Sequence, residues 1–122
     1  MLIVLADGCF DPLHSGHIAH LKFAKKLGSY LIVNTNPDSV IWEKRPQIGP
    51  FLTKNNRKAL LESLPFVDKT TSMRTVQVLE KIHPDIYIQG MDWKGKLPKN
   101  EIEICEELNI KIHYTNIRAN SS

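Results

Sequence analysis

Two histidines three residues apart, His14 and His17, close the stretch Gly8-Cys9-Phe10-Asp11-Pro12-Leu13-His14-Ser15-Gly16-His17 near the start of the chain. Residues three apart share one helix face, so both imidazoles can project together from a first helical turn. The free amides of such a turn and the positive end of the helix dipole already attract an anion. Gly16, between the histidines, removes a side chain where a phosphate must approach the backbone. Imidazoles and amides together form a cradle for a negatively charged phosphorus centre. A metal pair is the competing reading, although metal-binding histidines on a helix more commonly sit four apart and share a third ligand.

Such a cradle must sit between a strand and a helix, and the surrounding pattern supplies both. Leu2 to Ala6 is wholly apolar, as a strand buried on both faces must be. Ile18, Leu21, Phe23, Ala24 and Leu27 follow helical spacing from Gly16 to Leu27, with Gly28 as the stop. Further strands are expected at Tyr30–Val33, Phe66–Val67, Asp85–Gln89 and Lys111–Tyr114. Thr53 is expected to cap a helix reaching Leu64, with Ala59, Leu60 and Leu64 inward. Helices are also expected at Thr75–Ile82, before Pro84, and at Asn100–Leu108. Residues 36–54, with three prolines and Gly49, read as a long loop, and Gly90–Pro98 as a shorter one. Alternating strands and helices predict a single α/β, Rossmann-like domain over residues 1–122, with a five-stranded parallel sheet and helices on both faces. Ligands in such sheets bind outside the carboxyl ends of the strands, where the opening decapeptide and the loop at Gly90 both fall.

Composition narrows the function classes. The chain has 122 residues, 42% hydrophobic and 24% charged, and a net charge of +3, too small alone to imply a nucleic-acid partner. No apolar run approaches the roughly 20 residues of a membrane span. The opening Met1-Leu2-Ile3-Val4-Leu5-Ala6 lacks a basic region and does not read as a signal peptide. Two distant cysteines, Cys9 and Cys105, fit a reduced, cytoplasmic protein in which both are packing residues.

The decapeptide resembles the G-x-F-D-x-x-H-x-G-H signature of the cytidylyltransferase-like nucleotidyltransferases. The resemblance continues in order through Leu27–Asp38, Asn55–Asp68, Ile82–Lys96 and the tail Asn116–Ser122. It reaches both glycerol-3-phosphate cytidylyltransferase and the nucleotidyltransferase domain of heptose synthesis enzymes. The resemblance implies attack by an acceptor's phosphate oxygen on the α-phosphate of a nucleoside triphosphate, with release of pyrophosphate. The nucleophile is already an anion, so catalysis reduces to positioning and charge stabilisation. His14 and His17 are the implied catalytic residues, assisted by amides near Gly8, Cys9 and Phe10. Lys44 and Arg57 are implied against the triphosphate, with Arg45 either sharing that role or solvated. Asp11 is expected to orient the acceptor phosphate or a Mg²⁺, the ion expected on triphosphate oxygens. Asp7 and Asp38 are weaker candidates, more often turn or cap residues. Gly90 and Asp92 are expected by the nucleobase or ribose, and Trp93 there as either a stacking platform or a packing anchor. In the tail, Arg118, Ser121 and Ser122 match the family's closing signature. His20, His83 and His113 are expected to be structural or solvated.

CTP with a small phosphorylated polyol or sugar is the first reading of the substrates, from the Gly90–Lys96 loop, and ATP with a heptose phosphate the alternative. A non-catalytic nucleotide-binding regulatory module is the reading from another class. The protein is expected to form a homodimer.

Overall fold

The computed structural model describes residues 1–116, in which five strands form one parallel sheet in the order β3-β2-β1-β4-β5. The strands are β1 (Ile3–Gly8), β2 (Tyr30–Thr35), β3 (Lys69–Thr71), β4 (Ile86–Gly90) and β5 (Lys111–Thr115). The helices are α1 (Ser15–Lys26), α2 (Asp38–Lys44), α3 (Lys54–Glu62), α4 (Thr75–Ile82) and α5 (Lys99–Glu107). A single 3-10 turn, Met91–Trp93, follows β4. The expected α/β class, five-stranded parallel sheet and placement of helices on both faces all hold.

Side chains alternate across each strand, so each strand feeds two cores. Val4, Ala6, Leu31, Val33 and Ile88 pack with Leu21 and Ala24 of α1 and Leu61 of α3. Leu5, Ile32 and Tyr87 pack on the opposite face with Val78 and Leu79 of α4, Cys105 of α5 and Ile110. Burial raises the Cys105 thiol to about 11, which leaves it an inert packing residue as expected.

Three local expectations are corrected. The proposed loop over 36–54 contains α2, which starts after Pro37 and ends before Pro46, with Ile41 its sole buried residue. The third strand lies at Lys69–Thr71 rather than Phe66–Val67. Those two pack sideways onto the α1/α3 core while the Val67 amide closes a turn onto the Leu64 carbonyl. Thr53 caps α3 as expected, accepting from the Asn56 amide at 3.3 Å. The inward face of α3 is nevertheless Arg57 and Leu61, with Ala59 and Leu60 exposed.

Strand order places β1 beside β4 at the centre of the sheet, with β2 and β3 to one side and β5 to the other. The crossover direction reverses between β1 and β4, and a crevice opens there at the carboxyl ends of the strands.

Candidate active site

Residues Gly8–Phe10 leave β1 into that crevice. Phe10 takes φ of 52°, and its ring folds back over the strand end. A Cβ on Gly8 would come within 3.2 Å of the Phe10 ring, so glycine is what lets the ring close down there. The ring then meets His17 edge-on, with centroids 5.1 Å apart.

His14 is the N-cap of α1, and the two histidines cap the helix reciprocally. The His14 Nδ1 accepts from the amides of Gly16 at 3.1 Å and His17 at 3.4 Å. In return the His17 Nδ1 accepts from the His14 amide at 3.2 Å. The rings stack with centroids 3.6 Å apart. Two first-turn amides are therefore used within the protein, against the expectation that they stay free for an anion. An Nδ1 that accepts N–H bonds carries no proton, so a neutral ring keeps its proton on Nε2, facing away from the backbone. Burial, then the neighbouring His14 and His20, lower His17 to about 4, so it is a neutral donor near pH 7.

His17 and Gly8–Phe10 line a cleft of about 730 Å³ whose walls come from β1, α2, α4, β4, the 3-10 turn and α5. Lys44 ends α2 in this cleft, its Nζ 3.7 Å from the Cys9 Sγ. Gly90, Asp92 and Trp93 line the β4 side, with Trp93 47% exposed. A Cβ on Gly90 would lie 2.7 Å from the Asp92 Oδ1, so that carboxylate folds back over the glycine.

Other expected residues take different places. Asp11 does not face the cleft. Its buried carboxylate pairs with Arg45 and accepts from the amides of Phe51 and Leu52, each at 2.7 Å. Asp11 and Arg45 thus pin the 45–52 segment, and Arg45 also covers the Phe51 ring at 4.7 Å. Arg57 is 1% exposed and spends its guanidinium on the carbonyls of Cys9, Asn36 and Leu52, the Thr35 hydroxyl and the Asp38 carboxylate. It braces the turn from beneath rather than reaching a triphosphate. Gly16 holds the second position of α1, its amide on His14. Arg118, Ser121 and Ser122 lie outside the described residues.

Several cleft residues were weak or silent in the sequence. Asp7, next to last in β1, lies inside the cleft and accepts from Asn34 at 2.6 Å, Thr75 at 2.7 Å and Asn36 at 3.3 Å. Burial raises its carboxyl against the pull of those bonds. A charge closing an apolar strand was the signal for it. His20, one turn after His17, also lines the cleft, and its i+3 spacing from His17 was the signal. Tyr87, Glu101 and Arg74 line it without a motif to mark them.

Strand order, glycine turn and paired histidines form a combination that comparison with known proteins identifies. The sequence model of the cytidylyltransferase-like family matches residues 5–120. This chain belongs to the cytidylyltransferase-like family. The family is one of nucleotidyltransferases, and its signature falls on the turn and capping box just described. Over 97 residues the chain is 34% identical to the bifunctional protein HldE of Campylobacter concisus and 37% to that of Nitratiruptor. In both cases the match takes 77% of this chain and 21% of the relative, so the chain spans about a fifth of their length. A lipopolysaccharide core biosynthesis protein from Thermoplasma volcanium superposes with a TM-score of 0.77 at 33% identity, covering 95% of this chain and 97% of that one. Pantoate-beta-alanine ligase from Francisella tularensis, at 18% identity and a TM-score of 0.63 over 93% of this chain and 58% of its own, shares the fold. No helix among the described residues is long and apolar enough to cross a membrane.

Proposed function

We propose that this cytidylyltransferase-like protein transfers AMP from ATP to a heptose phosphate and releases pyrophosphate. An oxygen of the acceptor phosphate forms the new bond to the α-phosphorus, and the bond from that phosphorus to the pyrophosphate oxygen breaks. Charge grows on the phosphoryl oxygens as this happens, and His17, neutral and protonated on Nε2, is the donor aimed at it. His14 stacks on His17 and offers its own Nε2. Lys44 supplies a cation at the same cleft. The observation that carries the reading is the reciprocal histidine cap beside the β1/β4 crevice, which spends both Nδ1 atoms on the backbone and leaves the Nε2 of His17, the one of the pair that lines the cleft, for a ligand.

ATP and a heptose phosphate are supported by the similarity to the bifunctional HldE proteins and to the lipopolysaccharide core biosynthesis protein. CTP with a phosphorylated polyol is the second reading, favoured by the Gly90–Lys96 segment. Mg²⁺ belongs to the proposal as a companion of the triphosphate, where it would neutralise charge on the phosphate oxygens. Among the described residues no group of three or more His, Cys, Asp or Glu is placed to hold a metal, and Asp11 is occupied by Arg45. Phosphate oxygens are thus the fitting ligands. The test is pyrophosphate release with ATP or CTP, each against an aldoheptose 1-phosphate and glycerol 3-phosphate. Faster turnover of ATP with the heptose phosphate is expected; CTP with glycerol 3-phosphate as the better pair would overturn the proposal.

A further inference from the structure

The cleft wall built by β4 and α5 carries chemistry that phosphoryl transfer does not use. Glu101, in the first turn of α5, accepts a 2.9 Å hydrogen bond on Oε1 from the Tyr87 hydroxyl. Tyr87 is buried, and the Gln89 side chain, on the same face of β4 two residues on, lies beside it. Tyr87, with Gln89 beside it on β4, therefore holds one carboxylate of α5 at the cleft surface. Its Oε2 has no donor among the described residues. Burial and then the nearby Asp7 raise the Glu101 carboxyl, against the pull of the Tyr87 hydrogen bond and of Lys44.

A carboxylate in a cleft that takes polyanions is unfavourable unless it meets hydrogen-bond donors. Phosphate groups offer none when ionised, and the cations and imidazoles of the cleft serve them already. Sugar hydroxyls are donors, and a carboxylate with a free oxygen accepts from them. We propose that Glu101, positioned by Tyr87 and Gln89, is a specificity-determining residue that accepts hydrogen bonds from the hydroxyl groups of a polyhydroxylated acceptor phosphate. This rests on the nucleotidyltransferase reading and names the part of the acceptor that the wall recognises.

The test is equilibrium binding by calorimetry to the full chain, the Glu101→Gln variant and the Tyr87→Phe variant. The probes are an aldoheptose 1-phosphate, glycerol 3-phosphate and a non-hydrolysable ATP analogue. Glu101→Gln is nearly isosteric and is expected to weaken the heptose phosphate about tenfold, the loss of one charge-assisted hydrogen bond. Tyr87→Phe is expected to weaken it less, and glycerol 3-phosphate, with two hydroxyls, is expected to change less than the heptose. Affinity for the ATP analogue should stay within about twofold, since no phosphate contact is touched. Equal heptose phosphate affinity in the full chain and Glu101→Gln overturns the inference, as does a full chain that binds no heptose phosphate. A loss falling on the ATP analogue also overturns it, and gives Glu101 to the ribose. Glu101-dependent sugar phosphate binding without pyrophosphate release from any triphosphate would instead leave this subsite standing and remove the reaction.

Discussion

His14 carries two duties that substitution can separate. Its Nδ1 caps α1 through the Gly16 and His17 amides, and its Nε2 is the atom we propose to meet the phosphoryl group. Losing a helix N-cap costs about 1 kcal/mol, and losing one transition-state donor costs about 10²–10³ in rate. His14→Ala is therefore expected to lower both Tm and turnover. His14→Asn keeps a capping oxygen and is expected to hold Tm while turnover still falls at least about a hundredfold. Near-normal kcat in His14→Asn would make the residue a cap alone. His17 adds a pH signature. Unfolded, its ring takes a proton as pH falls through about 6.5; folded, only near about 4. The unfolded state binds more protons in between, so this residue lowers stability as pH drops through that window. Asp7 and Glu101, both raised, bind protons more readily when folded and act in the opposite sense. The measurement is hence a difference: wild type should lose more stability than His17→Gln, which retains an acceptor for the His14 amide, between about pH 6.5 and pH 4. Equal slopes would mean that His17 titrates normally. The pairing of these histidines was legible because their spacing is local. That each would consume the other's amide was not, since ring orientation depends on Phe10 and on the turn it closes.

Arg57 shows what a helix contributes when its buried face is polar. Apolar spacing along α3 points to Ala59, Leu60 and Leu64, yet the helix turns so that Arg57 enters the protein beside Leu61. The decisive partners are backbone carbonyls at Cys9, Asn36 and Leu52, which no sequence pattern displays. The same blindness hid α2, whose seven residues bury only Ile41, and β3, which is polar throughout. By contrast β1, β2, β4, α1 and α4 bury long apolar faces and were readable to within a residue or two. Arg57 ties the turn after β1 to β2, α2 and α3, so its removal strands several buried acceptors together. Arg57→Ala is expected to cost about 3 kcal/mol or more in denaturant unfolding, and Arg57→Lys nearly as much, because one ammonium cannot replace a planar fork. An unchanged midpoint with a raised KM for nucleotide would return Arg57 to the triphosphate.

For the molecule as a whole, one crevice gathers the ends of β1 and β4 and one side of α2, while residues far apart in sequence complete it. We propose in addition that two copies pair, as soluble proteins commonly do. Trp42, Ile48 and Phe51, each more than half exposed on or just after α2, offer apolar surface for such a contact. Light scattering at micromolar concentration should give twice the chain mass, and a monomer would end that proposal. Nucleotide binding should stabilise the whole fold, because a ligand bridging its walls binds only the folded state. At about a hundred times Kd that is roughly 2.7 kcal/mol, or about 10 °C in Tm for a domain of this size. The order among nucleotides tests the β4 side of the cleft. Asp92, folded over Gly90, is an acceptor that suits the exocyclic amine of adenine or cytosine. Guanine and uracil present a carbonyl oxygen at the equivalent position, leaving the carboxylate facing an acceptor at a cost of about 1–3 kcal/mol. ATP and CTP with Mg²⁺ are thus expected to raise Tm by several degrees more than GTP and UTP at equal concentration. Asp92→Ala should bring the four shifts together, and Gly90→Ala should do the same by driving a methyl group into the Asp92 carboxylate. Four equal shifts in the unaltered protein would reduce Asp92 to a loop cap and move base recognition to the backbone of Gly90–Trp93.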